Sequence, residues 1–199
     1  ATDANTINLN GNAGAIIGYS SSSLESVTKL DASGITLSSV FSNGLTYIAN
    51  HNSPDAYTMI IGTNAMDVLQ GRALTNDTIK GGTGIDVLIY TGGKDIFEGG
   101  DGNDVFDINA LSTAESHVTI TDMAAGDTIN MVGLLGTAGN VDYSAPNWNA
   151  QEVSLSGAAT LANYLDAAAA GDGTAGFTGD DEIVTWFEFG GNSYIVIDN

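Results

Sequence analysis

Large hydrophobic residues recur at a short, regular interval through the middle of the chain. Each of them stands two positions after an aspartate, and glycines crowd the positions before most of these aspartates. A hydrophobe every nine or ten residues, separated by turn-forming residues, predicts short strands joined by tight turns. The hydrophobes are Leu69, Ile79, Leu88, Phe97 and Phe106, and the aspartates are Asp67, Asp77, Asp86, Asp95 and Asp104.

This repeat predicts an all-β fold in which parallel strands form two sheets around a thin core, a parallel β-roll or β-helix. The first six positions of each unit turn the chain and the last three form a strand, so two units complete one coil. Glycine suits the turns because the backbone there must reach positive φ. One edge is expected to carry Asp67, Asp86 and Asp104 with Leu69, Leu88 and Phe106 in the adjacent sheet; the other edge carries Asp77 and Asp95, with Ile79 and Phe97.

Stacked aspartates need a cation between them. Two carboxylates about 4 Å apart repel by roughly 4 kcal/mol at an effective dielectric constant near 20. Calcium, with six to eight oxygen ligands, would reverse the sign of that interaction by taking one carboxylate from each of two successive turns and backbone carbonyls besides. The alternative is a flexible loop rich in glycine and aspartate that binds no metal.

The turns differ in how well they suit calcium. The best-formed pair is 81–86 with 99–104. The pair of 62–67 with 81–86 is weaker because Thr63 and Ala65 replace glycines, and the pair of 71–77 with 90–95 is more degenerate still. We expect about two to three calcium ions. The candidate ligands are Asp67, Asp77, Asp86, Asp95 and Asp104, with Gly81, Thr83, Gly84, Gly99, Asp101 and Gly102 from the two best-formed turns.

The flanking sequence divides the chain into three predicted regions, 1–61, 62–110 and 111–199. The first carries short β-like pieces at 35–37, 45–48 and 57–61, which suit extra coils leading into the repeats. After the repeats, 117–136 predicts a hairpin or a closing coil that covers the end of the stack. Within it, Asp122 and Asp127 either bind a further ion or cap the turn.

The C-terminal part predicts one helix and one hairpin. Residues 157–170 have helical periodicity, with Thr160 as a candidate N-cap. Residues 182–189 and 193–198 are strand-like and flank Gly190-Gly191-Asn192, a good hairpin turn. Residues 137–156 are expected to form a loop.

Composition excludes several classes of function. The net charge is −20 with only four Lys and Arg residues, which argues against nucleic acid and against charge-driven docking on anionic membranes. No apolar run approaches a membrane span. The chain has no cysteine and two histidines, and it contains neither an H-E-x-x-H nor a G-x-S-x-G motif. We therefore expect no enzymatic activity.

The repeats match the nonapeptide G-G-x-G-x-D-x-U-x and resemble the RTX (repeats-in-toxin) calcium-binding proteins, which bacteria export by type I secretion. The segments LDASGITL (30–37) and WFEFGGNSYIVIDN (186–199) are similar to the C-terminal region of RTX-containing S-layer and related surface proteins. The resemblance implies passage through the type I export machinery, calcium-triggered folding outside the cell, and a place on the bacterial cell surface. The repeats depart from the consensus at 71–77 and 90–95.

Two functions follow from this resemblance. The first is a non-enzymatic, calcium-folded module of a secreted S-layer-like protein that serves export, folding and surface assembly, including self-association in a lattice. The second is the C-terminal secretion domain of an extracellular protease, lipase or adhesin, whose active part would lie elsewhere in a longer protein.

Overall fold

The computed structural model describes residues 5–17, 28–40, 42–49, 58–108, 116–131, 147–155, 157–169 and 183–198. The chain divides into two compact units, 1–133 and 134–199. No helix in these described ranges is long and apolar enough to cross a membrane.

The first unit consists of short strands. They are β1 (Thr6–Gly11), β2 (Ala15–Ile17), β3 (Lys29–Ile35), β4 (Asn43–Ile48), β5 (Met59–Ile61), β6 (Met66–Gln70), β7 (Thr78–Gly84), β8 (Val87–Ile89), β9 (Lys94–Gly102), β10 (Val105–Asp107), β11 (His117–Ile120) and β12 (Thr128–Asn130).

Successive strands alternate between two six-stranded sheets. One sheet has the order β1-β3-β5-β7-β9-β11 and the other the order β12-β10-β8-β6-β4-β2. Every neighbouring pair of strands in these two sheets is parallel. We call one strand of each sheet, with the turns that join them, a layer. The fold is therefore all-β and parallel in this unit.

The strand register follows the repeat. Leu69 pairs with Leu88, which pairs with Phe106, in the β2-containing sheet. Ile79 pairs with Phe97 in the other sheet. All five side chains are fully buried, so the predicted separation of the repeat hydrophobes into two stacks is confirmed. Full burial of a side chain of this size contributes about 1.5–3 kcal/mol to stability.

The strands on both sides of the repeats extend the same two sheets. β11 is parallel to β9 and β12 is parallel to β10, so residues 117–130 form a closing layer and not a hairpin. Before the repeats, β4 contains the predicted piece 45–48 and β5 lies within the piece 57–61, whereas only Ile35 of the piece 35–37 belongs to a strand. The strands β1 and β2 precede all three pieces and begin both sheets.

The second unit is a three-stranded sheet with one helix. Its elements are β13 (Asn147–Glu152), α1 (Leu161–Ala169), β14 (Ile183–Phe189) and β15 (Asn192–Asp198). β14 and β15 form the predicted antiparallel hairpin, and the glycines of its turn have φ of 60° and 85°. β13 pairs with β14 in parallel, so part of the expected loop 137–156 is a strand.

A small aromatic core holds the second unit together. Phe187 is fully buried and stacks on Tyr194, with ring centroids 4.9 Å apart. Tyr164 of α1 lies 5.1 Å from Phe187, also between centroids. The helix begins as the sequence indicates, because the Thr160 hydroxyl accepts the backbone N–H of Asn163 at 3.3 Å, which is N-cap geometry.

Candidate metal centre

The five repeat aspartates lie where the turns meet the strands, and all are at most 1% exposed. Asp77, Asp86 and Asp104 immediately precede a strand, and Asp67 and Asp95 are the second residues of β6 and β9. Buried carboxylates without full hydrogen bonding or a cation are costly, so the partners of each oxygen decide what the site can bind.

On one edge, four aspartates form a continuous hydrogen-bonded series, which we call the aspartate ladder (Asp67, Asp86, Asp104 and Asp127). The backbone N–H of Asp67 donates to Oδ1 of Asp86 at 2.8 Å. The N–H of Asp86 donates to Oδ1 of Asp104, and the N–H of Asp104 to Oδ1 of Asp127, each at 2.9 Å. Each bond joins one layer to the next, so one oxygen of each accepting carboxylate links adjacent layers.

The opposite edge repeats this arrangement once. The backbone N–H of Asp77 donates to Oδ1 of Asp95 at 2.8 Å. The predicted division of the five aspartates between two edges is therefore what the fold contains.

Three of the five carboxylates keep one oxygen without a partner. Oδ2 of Asp86, Asp95 and Asp104 is buried and accepts no hydrogen bond from any residue in the described ranges. A carboxylate oxygen in this position costs the free energy of its lost hydration unless something else binds it.

The other two carboxylates are closed by their own turns. Oδ2 of Asp67 accepts the Thr63 N–H at 2.6 Å, and the Thr63 hydroxyl lies 3.0 Å from Oδ1. On the other edge, Oδ2 of Asp77 accepts the Arg72 N–H at 2.5 Å, and Oδ1 accepts the Thr75 hydroxyl at 2.8 Å. These two turns depart from the consensus, and we therefore expect them to be weaker calcium sites. The departing residues donate hydrogen bonds to the aspartates, for example through the hydroxyls of Thr63 and Thr75.

The unpaired oxygen of Asp86 lies beside a backbone carbonyl of the next layer. A Cβ added to Gly81 would overlap both Asp86 Oδ2 and the carbonyl oxygen of Gly99. Both oxygens therefore face the same side of Gly81, and glycine leaves the space between them free. Carboxylate and backbone carbonyl oxygens are the ligand types that calcium binds at about 2.3–2.6 Å. This arrangement fits a hard divalent cation between turns 81–86 and 99–104.

The electrostatics point in the same direction. The pKa of Asp86 is raised to about 8, mainly by burial; the hydrogen bond from the Asp67 N–H lowers this pKa, and the neighbouring carboxylates of Asp67 and Asp104 add to the rise. Burial raises the pKa of Asp95 to about 7. It also raises the pKa of Asp67, Asp77 and Asp104 above the usual 3.8. In the metal-free fold these carboxylates therefore bind protons where an exposed aspartate would be ionised.

The remaining candidate ligands lie around the same turns. Gly81, Gly84 and Gly99 are buried, Thr83 is half-buried, and Asp101 and Gly102 are exposed. Thr83 pairs with Asp101 in the register of β7 and β9. Gly82 and Gly100 have φ of 125° and 101°, which confirms the expected positive φ in these turns. Within the described ranges, no group of three or more His, Cys, Asp or Glu side chains could hold a metal ion, so backbone carbonyls must supply much of any ligand set.

Asp127 is the member of the aspartate ladder that the repeat pattern does not predict. It follows Asp104 by 23 residues, whereas the other steps of the ladder are 19 and 18. The available signal was the hydrophobe two positions later, Ile129, which pairs with Phe106. Asp127 Oδ2 accepts the Ala124 N–H at 2.8 Å, so of the two alternatives for this residue the geometry supports turn capping.

No protein-family model matches the chain, and a search of curated proteins returned no match.

Proposed function

We propose that this chain is a calcium-binding module whose repeat region folds as a parallel β-roll around bound calcium. The observation that carries the proposal is the set of buried, unpaired Oδ2 atoms of Asp86, Asp95 and Asp104. Calcium would bind there, provide the missing partner and neutralise the carboxylates.

Two ions account for these three oxygens. One would lie between turns 81–86 and 99–104, with Asp86, Asp104 and the Gly99 carbonyl among its ligands. The other would bind Asp95 on the opposite edge. Turns 62–67 and 71–77 would bind calcium weakly or not at all, because Thr63, Thr75 and the Arg72 N–H already satisfy Asp67 and Asp77.

Calcium is favoured over magnesium by the kind of ligand that the turns present. Calcium accepts six to eight oxygens in flexible geometry, whereas magnesium requires a nearly ideal octahedron at 2.0–2.1 Å and retains several waters. Carboxylate and carbonyl oxygens from two successive turns suit the larger ion.

The wider role that we propose rests on the RTX resemblance. The module would pass through the type I export machinery unfolded in the low calcium of the cytoplasm and fold outside the cell, because binding free energy is folding free energy when ligands meet only in the folded state. There it would serve a bacterial cell-surface, S-layer-like protein as a non-enzymatic element, with self-association in the surface lattice. The net charge of −20 suits a protein that binds cations.

Calcium titration tests the proposal directly. Isothermal titration calorimetry on chelator-treated protein is expected to give about two sites with Kd of about 10⁻⁴ to 10⁻³ M, the range typical of extracellular modules. Circular dichroism is expected to show β structure appearing with calcium and disappearing on addition of EGTA. Magnesium at the same concentration is the matched control and is expected to leave the spectrum unchanged.

Two outcomes would reject parts of this function. Unchanged calorimetry and dichroism on calcium addition would reject calcium binding. Light scattering that shows a monomer at all calcium concentrations would reject self-association and favour the secretion domain of an extracellular enzyme or adhesin.

A further inference from the structure

The closing layer contains two aspartates that contact the best-formed calcium turn without sharing its pattern. Asp122 and Asp127 lie in the turn between β11 and β12, and both are half-buried. Their carboxylates accept hydrogen bonds from the backbone of turn 99–104.

Asp122 lies where the earlier layers have a glycine. Ile120 pairs with Phe97, so Asp122, two residues later, continues this register opposite Gly99. Its Oδ1 accepts the Gly99 N–H at 3.0 Å and its Oδ2 accepts the Gly100 N–H at 2.7 Å. Both oxygens are therefore used, and they hold the first two residues of the turn by their amides.

Asp127 holds the other end of the same turn. Its Oδ1 accepts the Asp104 N–H at 2.9 Å and its Oδ2 accepts the Ala124 N–H at 2.8 Å. The Thr128 N–H donates to the Asp104 carbonyl at 2.8 Å. The backbone of Asp104 is thus held on both sides, while its own Oδ2 stays unpaired.

The tip of the closing turn packs closely against turn 99–104. Gly126 has φ of 111°, and a Cβ added there would overlap Oδ1 of Asn103. Any residue other than glycine would therefore strain the backbone of the closing turn and push the Asn103 side chain aside, without changing either carboxylate.

We propose that Asp122 and Asp127 are positioning residues: they hold turn 99–104 in its calcium-binding conformation and do not bind the ion themselves. The inference rests on the proposed calcium site at that turn. Partners that orient metal ligands typically change metal affinity about 10- to 100-fold when they are mutated. Asp122→Asn and Asp127→Asn each replace a bidentate acceptor by a side chain with one acceptor oxygen.

The test compares these two variants with wild type and with Asp31→Asn. Asp31 is a matched control because its Oδ1 also accepts a backbone N–H, that of Ser33 at 3.1 Å, in a layer far along the sheet from the calcium turn. We expect calorimetric calcium affinity to fall about 10- to 100-fold in the two variants and to stay within twofold in Asp31→Asn.

Terbium luminescence lifetimes in H₂O and D₂O separate positioning from ligation, because they count the waters on an ion bound in place of calcium. The count is expected to match wild type in both variants, and a higher count would identify the mutated aspartate as a ligand and overturn the proposal. Unchanged calcium affinity in both variants would also overturn it.

Two further measurements keep the test decisive. Amide hydrogen exchange is expected to accelerate at Gly99 and Gly100 in Asp122→Asn and at Asp104 in Asp127→Asn; unchanged exchange would contradict the positioning role.

Gly126→Ala, which keeps both carboxylates, is also expected to weaken calcium binding, and wild-type affinity in this variant would count against the role of the closing turn. Absence of calcium binding by wild type would instead reject the proposed function, while the exchange measurement would still report on the two aspartates.

Discussion

Turns 62–67 and 81–86 occupy equivalent positions in adjacent layers, and they differ in how far the chain itself satisfies the buried aspartate of each. Both end in a fully buried aspartate. In the first, the Thr63 N–H and hydroxyl satisfy the Asp67 carboxylate. In the second, Gly82 stands at the place of Thr63, and Asp86 Oδ2 has no partner among the described residues. The two turns thus differ in whether the chain itself satisfies the aspartate, and the Thr63 hydroxyl, which Gly82 lacks, is one of the donors that make the difference.

The largest effect is expected from removing the unpaired carboxylate itself. Asp86→Ala should lose the ion between turns 81–86 and 99–104, with a fall in calcium affinity of more than about 100-fold, beyond the usual cost of losing an outer-shell partner. Asp67→Ala should keep the ion count and lose stability by about 1–3 kcal/mol for each donor left unpaired. Calorimetry and urea unfolding measure the two effects, and equal calcium affinity in Asp86→Ala would disprove the assignment.

The free energy of unfolding should depend on pH in the opposite sense to that of a protein whose buried aspartates form ion pairs. The folded pKa values of Asp86 and Asp95, about 8 and about 7, lie above the unfolded value of 3.8. The folded state therefore binds more protons over this range, so in EGTA its stability should fall as pH rises from about 4 to about 8, by on the order of a few kcal/mol. Calcium affinity should rise over the same range, because the ligands must first lose their protons.

Circular dichroism in EGTA at pH 5 and pH 8 measures this slope as the fraction of folded protein, and urea midpoints in calcium at the same two pH values give the comparison. Asp86→Asn is the matched control, because it cannot ionise and should flatten part of the slope. Greater stability at pH 8 than at pH 5 in EGTA would show that these carboxylates are not buried in the metal-free fold.

A smaller effect should follow from deleting the hydroxyl that closes turn 62–67. Thr63→Val removes a donor to a buried carboxylate and should destabilise the calcium-loaded protein by about 1.5–3 kcal/mol. Thr83→Val makes the same change at a half-buried position of turn 81–86, where we propose that only the backbone binds calcium, and should change stability by less than about 0.5 kcal/mol. Equal unfolding midpoints for the two variants would remove the contrast between the turns.

The smallest effect is expected at an exposed ion pair that also joins adjacent layers. Lys80 Nζ contacts Glu98 Oε2, and their side chains are 36% and 44% exposed. Lys80→Ala should change stability by less than about 1 kcal/mol, and less still in high salt. A larger loss in urea unfolding would indicate that cross-layer charge pairing, more than ion binding at the buried turns, stabilises the stack.

The periodic part of the fold could be predicted from the sequence, because a hydrophobe at a constant interval allows one register. This is why Leu69, Leu88 and Phe106 pair as expected. The closing layer breaks the interval, and the sequence therefore leaves two alternatives for Asp127, ion binding and turn capping. The strand β13 has no comparable repeat, and its segment was expected to be a loop.

The candidate site was less predictable than the fold. Spacing places aspartates on one edge, but it does not tell which carboxylate oxygen receives a donor from its own turn. That depends on side-chain atoms such as the Thr63 and Thr75 hydroxyls, whose geometry requires the folded backbone. The sequence therefore predicted the edges, and the structure resolved which oxygens are unpaired. Asp95 keeps an unpaired oxygen on the edge whose turns depart furthest from the consensus, whereas Thr63 satisfies Asp67.

The most direct test of the account is a crystal structure grown in excess calcium, with anomalous scattering used to locate the ion. We expect an anomalous peak between turns 81–86 and 99–104, with Asp86 and Asp104 oxygens at about 2.3–2.6 Å from it. A well-ordered structure in which these turns are folded and no peak lies between them would contradict the central claim.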